Sequence, residues 1–145
     1  MRYKLMKQIL RKKPLKIAII LLVLYALLVV LFESSLGYFQ PENASTLQIA
    51  TINADGTVNQ RILARIDSAG QLYVAANHWP RAWYREALAN PSVEVNLESG
   101  QGSYIAVPVE GAEHDSVNAD NSLGFMFRIL TGFPPRYFLR LDPAG

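Results

Sequence analysis

The side chains most able to do chemistry in this chain are gathered between His78 and Leu97, in HWPRAWYREALANPSVEVNL. Two tryptophans, a tyrosine, a histidine and two arginines fall within eight residues there, and aromatic and basic groups are nowhere else so dense. An indole offers a flat apolar wall, and a guanidinium meets phosphate through two parallel hydrogen bonds. That combination suits the binding of a planar, phosphorylated group better than acid–base catalysis. No Walker lysine loop, GxGxxG, HExxH or GxSxG occurs, so the sequence names no catalytic residue. The chain has no cysteine, which excludes disulfides, thiolate metal sites and thiol nucleophiles. His78 and His114 are far apart with no third ligand between them, so no metal site is expected.

The local elements that position these groups follow from the same residues. Pro80 suits the first turn of a helix, where its missing N–H would be unpaired anyway. Arg81 to Ala89 continue with helix formers, and Asn90-Pro91 ends the run after two to three turns. Val93, Val95 and Leu97 then alternate with Ser92, Glu94, Asn96 and Glu98, the period of a strand with one dry face.

The rest of the chain supplies an anchor and a sheet. Of the 145 residues, half are apolar, enough for one core and one domain. The net charge of +2 conceals a division. Arg2, Lys4, Lys7, Arg11, Lys12, Lys13 and Lys16 precede the run Ile17–Phe32, whereas everything from Glu33 onward is net acidic. The basic character belongs to the tail, so nucleic acid is not an expected partner. The run Ile17–Phe32 extends about 24 Å as a helix, and Leu15, Lys16, Leu36 and Tyr38 lengthen it toward the ~30 Å of a hydrocarbon core. We read residues 1–16 as a basic cytoplasmic tail, 17–36 as a single transmembrane anchor, 37–45 as a linker and 46–145 as the folded domain. A cleaved signal peptide is the alternative for the apolar run. The positive-inside rule keeps the N-terminus in the cytoplasm and the domain on the outer side, with the cytoplasmic face as the alternative.

Within the domain, Thr46–Asn53, Val58–Asp67 and Gln71–Ala76 read as a three-stranded meander, turned at Asp55-Gly56 and at Ser68-Ala69-Gly70. Glu98 turns through Ser99-Gly100-Gln101-Gly102 into a strand at Ser103–Val109. A helix is expected from about Asn121 to Leu130, broken by Gly132-Phe133-Pro134-Pro135, and Arg136–Leu141 closes the chain as a strand. Phe125, Phe127, Phe133 and Tyr137 read as core. The expectation is a mainly β domain: six antiparallel strands with two short helices, closed as a small barrel because closure removes exposed edges.

Pro80, Trp83, Tyr84, Ala89, Asn90, Pro91, Val93 and Val95 carry a resemblance. A strand end, a loop, P-x-W-Y and then A-N-P-x-V-x-V resemble the deazaflavin-dependent nitroreductase and quinone reductase family, a branch of the flavin-binding split β-barrels. The likeness runs from about Thr46 to Pro143, with the Pro shifted by one position. It departs at the first turn, which lacks a Gly-rich segment, at Ile62-Leu63, where a Pro is usual, and in a shorter loop before Pro80. What the resemblance implies is a split barrel holding deazaflavin (coenzyme F420) or FMN in a groove between barrel and helix. It places the phosphate at Arg61, the ring at Trp83, and backbone groups of Ala76 and Asn77 at the polar ring edge, with His78, Trp79 and Arg81 in the adjoining loop. It also places Phe125, Phe133 and Tyr137 beside the substrate. The implied activity is hydride transfer to a lipophilic quinone-like or nitro acceptor by a membrane-anchored enzyme, for which a bilayer is the natural setting. A barrel without redox chemistry that carries or senses a lipid or haem is the alternative, and a homodimer is compatible with either.

Overall fold

The computed structural model describes residues 2–36, 45–77 and 82–145, with side chains from residue 13 onward. Its architecture is mainly β, a curled antiparallel sheet with helices at its edge and face. An N-terminal helix, α1 (Arg2–Leu36), precedes β1 (Thr46–Ile52), β2 (Val58–Ala64), β3 (Ile66–Ser68) and β4 (Gln71–Ala76). There follow α2 (Ala82–Ala89), β5 (Ser92–Leu97), β6 (Gly100–Val109), α3 (Gly111–Asp120), α4 (Phe125–Leu130) and β7 (Tyr137–Pro143). The linker residues 37–44 and the loop residues His78, Trp79, Pro80 and Arg81 lie outside the described residues.

The sheet has seven strands rather than six, in the order β2-β1-β5-β6-β7-β4-β3. The extra strand comes from the run Val58–Asp67, which is interrupted at Arg65. Its first part pairs with β1 at one edge, and its second pairs with β4 at the opposite edge. The expected meander is therefore two hairpins joined by one bent strand, and that bend is what brings β2 beside β4 and closes the sheet on itself. Arg65 N–H donates to the Ser45 carbonyl at 2.9 Å, holding the corner. The turn between β3 and β4 uses Ala69 and Gly70, both at positive φ (48° and 76°). That backbone matches the twist of a tight hairpin and leaves Ala69 the strained residue.

Alternation along the strands produces two cores. Inside the barrel, Leu47, Ile49, Val74, Val93, Val95, Leu139 and Leu141 pack with Trp83, Tyr84 and Ala87 of α2. Helix α2 is thus the plug at one end of the barrel. On the outer face Ile66, Tyr73, Val109 and Phe138 pack with Val117 of α3. A single helix from Asn121 was expected, but two occur, α3 beginning already at Gly111 and the chain breaking at Ser122–Gly124 before α4.

Helix α3 is held to the sheet by polar contacts. Arg140 donates to Glu113 Oε1 at 2.8 Å and to both oxygens of Asp142, and the Tyr73 hydroxyl donates to the same Glu113 oxygen at 3.0 Å. Ser68 donates to Asp120 at 2.6 Å. The Arg140 hydrogen bonds hold the carboxyls of Glu113 and Asp142 below their ordinary values, with Tyr73 adding to the effect at Glu113. The unfolded chain therefore binds protons more readily than the folded one. This contribution is complete above about pH 4.5 and fades as pH falls through the folded-state values. We expect Arg140→Gln to flatten the fall of Tm between about pH 5 and 3, while changing Tm at pH 7 only modestly because the groups are partly exposed. Thermal melts across that range check it.

Candidate functional site

A groove runs along α2 on the side of the helix that faces away from the core. Trp83, Tyr84 and Ala87 point into the barrel, so Ala82, Arg85, Glu86, Ala89 and Asn90 form the opposite stripe. Together with Ile52, Asn53 and Ala54 at the end of β1 they enclose an open cleft of about 410 Å³. This is within the range of small-molecule sites. The loop wall is stiff: Asn53 Oδ1 accepts from the Asp55 and Thr57 N–H groups, and Gly56 takes φ 85°.

Glu86 fixes the cleft floor to the sheet. The buried Thr51 hydroxyl donates to its Oε2 at 2.6 Å, and Asn59 Nδ2 donates to its Oε1 at 2.9 Å. Thr51 pairs directly with Asn59 across β1 and β2, and Ile49 pairs with Arg61 in the same way. Directly opposed residues of an antiparallel pair share a face. Arg61 therefore follows Asn59 on the barrel side of the edge strand, yet it is solvent-exposed. Among the described residues no acceptor meets its guanidinium. The cation that lines the cleft is Arg85, and Arg61 stands outside the lining, on the strand that Asn59 ties to Glu86; an exposed guanidinium there is suited to an anionic group.

The barrel rim at the other end of α2 is aromatic. Tyr84 and Tyr137 rings lie 5.7 Å apart, and Trp83 meets Tyr84 edge to face at 5.8 Å. Burial, then Tyr137 and Glu110, push the Tyr84 phenol up, so it stays a neutral hydroxyl. Trp83 is 2 % exposed, and its indole N–H is the one fully buried side-chain polar atom without a partner among the described residues. Such a donor costs stability unless something accepts from it.

The expected cofactor residues are only partly brought together. Ala76 is buried at the end of β4, where it pairs with Tyr137. Asn77 Oδ1 accepts from Arg136 Nε at 3.0 Å. Trp83 sits beneath this rim with its ring faces covered by the core, and Arg61 stands exposed on edge strand β2 opposite Ile49, outside the cleft lining. His78, Trp79 and Arg81 lie outside the described residues. Of the aromatic residues read as core, Phe125, Phe133 and Tyr137 are exposed instead. Phe125 and Phe133 meet edge to face at 6.2 Å, whereas Tyr137 joins Tyr84. The sequence reading did not single out Asn53, Arg85 or Glu86. The spacing 82, 85, 86, 89 was available as the complement of the apolar stripe 83, 84, 87, but nothing in it says which strand end lies opposite.

A fold comparison decides the architecture. A reductase dependent on reduced F420 aligns over 70 % of this chain and 98 % of its own, at 19 % identity and a TM-score of 0.52. The fold is a split β-barrel. The haem storage protein HutZ from Vibrio cholerae shares it over 71 % of this chain and 84 % of its own, at 19 % identity and a TM-score of 0.51. So does a pyridoxamine 5'-phosphate oxidase-related, FMN-binding protein from Nostoc punctiforme, over 80 % and 76 %, at 18 % identity and a TM-score of 0.50. No family profile and no curated protein sequence matches the chain. Solved chains of this shape thus include an F420-H2-dependent reductase, an FMN-binding protein and a haem storage protein.

Proposed function

We propose that this chain is a membrane-anchored oxidoreductase that holds FMN or deazaflavin against α2 and passes a hydride to a quinone-like or nitro acceptor. The observation that carries this reading is a cleft of about 410 Å³ along the plugging helix of a split barrel, floored by Glu86, which Asn59 ties to the strand that also carries Arg61. Arg61 meets the phosphate. Trp83, expected at the ring, points into the barrel from the other side of α2 with both faces covered, so its share is to hold the helix that the cofactor lies against. Ala76 and Asn77 offer backbone groups at the rim, with His78, Trp79 and Arg81 in the adjoining loop. Tyr137, Phe133 and Phe125 line the way in for a lipophilic acceptor. The bound cofactor supplies the hydride chemistry, and the chain's own share is position and exclusion of water. That division of labour accounts for a chain with no acid–base motif.

Anchoring rests on α1. Its stretch Lys13–Leu36 is 24 residues long and contains an 18-residue window of mean hydropathy 3.0 with none of it buried, which suits a membrane span or a signal sequence. We take it as a span, entered from the cytoplasm because seven cations precede Ile17. The test is steady-state turnover. The full chain in detergent micelles, given reduced F420 or reduced FMN with a short-chain menaquinone analogue, is expected to oxidise the cofactor faster than the Arg61→Ala protein does. Equal background rates for both proteins with both cofactors contradict the enzyme reading.

A second reading has its own support. A domain on the outer face is separated from the cytoplasmic pool of reduced deazaflavin, and a covered Trp83 offers no open ring wall. A non-catalytic barrel carrying or sensing lipid or haem satisfies both, and a haem storage protein shares the fold. Binding of haemin but neither cofactor selects it.

A further inference from the structure

The surface of α4 and the turn after it is apolar but not covered. Phe125 is 70 % exposed, Met126 66 % and Phe133 49 %. Phe133 also takes a left-handed φ of 54°, a conformation that costs a non-glycine residue about 1–2 kcal/mol. An exposed apolar knuckle of this kind on a folded domain marks an interaction surface.

Its place in the chain's structure says what covers it. The Tyr25 hydroxyl of α1 donates to the Ile129 carbonyl at 2.7 Å, and the Phe32 and Phe127 rings meet edge to face at 5.9 Å. A Cβ on Gly132 would lie a tight 3.3 Å from Val29 Cγ1, and its φ of 74° also favours glycine at this approach to α1. Tyr25, Val29 and Phe32 form one stripe at helical spacing. All three belong to the apolar run Ile17–Phe32. A span of about 20 residues counted from Lys16, the last cation, ends near Leu36. On that count Phe32 lies about 6 Å, and Tyr25 about 16 Å, below the outer end of the helix.

We propose that α4 and the Gly132-Phe133 turn enter the outer leaflet beside α1, so that lipid acyl chains cover Phe125, Met126 and Phe133. The inference rests on the reading of α1 as a membrane span. Lipid is the occupant because the knuckle is continuous with the unburied apolar surface of α1. Polar groups at this depth need internal partners, and they have them. The Ile129 carbonyl at the helix end accepts from the Gly132 N–H at 3.2 Å and from the Tyr25 hydroxyl, and the Thr131 hydroxyl donates to the Phe127 carbonyl at 2.9 Å. Arg128 lies over the Phe133 ring, 5.4 Å from its centroid, on a stem long enough to reach headgroup phosphates. The aromatic way into the barrel then opens at the membrane surface, where a lipophilic acceptor dissolves.

Because the chain has no cysteine, Leu24→Cys, Met126→Cys and Gln71→Cys each give one labelling site in the full chain. All three positions are exposed, so a label does not disturb packing. Each is labelled with an NBD fluorophore and reconstituted in phosphatidylcholine–phosphatidylglycerol vesicles carrying nitroxide lipids at defined depths. We expect a blue shift and quenching by acyl-chain nitroxides at 126, quenching by the deepest nitroxide at 24, and neither at 71. Quenching at 24 with an aqueous emission at 126 overturns the inference and leaves the anchor intact. No quenching at 24 overturns the anchor and the inference with it. A blue shift at 126 that no nitroxide quenches and that reverts on dilution means a second copy covers the knuckle, which also overturns it.

Discussion

Trp83→Ala is expected to cost about 3–5 kcal/mol of stability, the range for truncating a large aromatic in a core. Trp83 is central to the plug formed by α2: it packs with the barrel core and meets Tyr84 edge to face. Trp83→Phe separates the structural part of this role from the functional one. Phenylalanine keeps most of the buried apolar surface and removes the N–H that has no partner. An unsatisfied buried donor costs about 1–3 kcal/mol, so Trp83→Phe offsets its smaller volume and should change stability by under about 1.5 kcal/mol. Because Trp83 faces the barrel and not the cleft, the same substitution should leave cofactor affinity within about threefold, under about 1 kcal/mol. Chemical denaturation of both variants, with cofactor affinity measured on Trp83→Phe, checks the two halves. A Phe variant that is markedly unstable would mean that the indole shape, not its hydrogen bond, is what the barrel requires.

Arg61→Ala should leave stability within about 0.5 kcal/mol, as for a surface substitution away from the core. Cofactor affinity should fall by about 10–100-fold, since a charge-assisted hydrogen bond is worth about 1.5–3 kcal/mol. Arg61→Lys is expected to recover only part of the loss, because an ammonium meets phosphate as a point charge without the two-pronged geometry. Raising the salt concentration should weaken the parent protein more than the Ala variant, since the interaction is between exposed charges. Isothermal titration and thermal melts on the same preparations measure both quantities. Equal affinity in parent and variant would remove Arg61 from the site.

The parts of the fold that were legible in the sequence are those in which one local signal has no competitor. Asn90-Pro91 ends α2 where the sequence places it, and the strict alternation from Ser92 to Leu97 buries Val93 and Val95 while exposing Ser92, Glu94 and Asn96. The bend at Arg65 was not legible, because the period of two continues unbroken through it. Odd positions face the barrel, and even positions are wet in β2 but covered by α3 at Ile66 and Ser68. Helix α3 itself was missed because only Val117 is buried along it. It docks through Glu113, Asn118 and Asp120, contacts that leave no hydrophobic period.

At the candidate site the same limits apply. The helix face carrying Glu86 is polar in the sequence, and only the fold shows that Thr51 and Asn59 come to meet it. Trp83 was legible as important but not as covered, since an aromatic stripe looks alike whether a ligand or the barrel lies against it. The exposed Phe125 and Phe133 read as core for a physical reason: an apolar patch left on the surface has the composition of one buried in the interior.

The most direct measurement is an equilibrium titration of the full chain in detergent micelles with FMN, F420 and haemin, followed by absorbance and by Trp fluorescence. Micromolar binding of FMN or F420 that quenches tryptophan emission, and that Arg61→Ala weakens at least about tenfold, is the result expected of a barrel that seats a phosphorylated ring beside α2. Saturable binding of haemin alone, indifferent to Arg61, would contradict it.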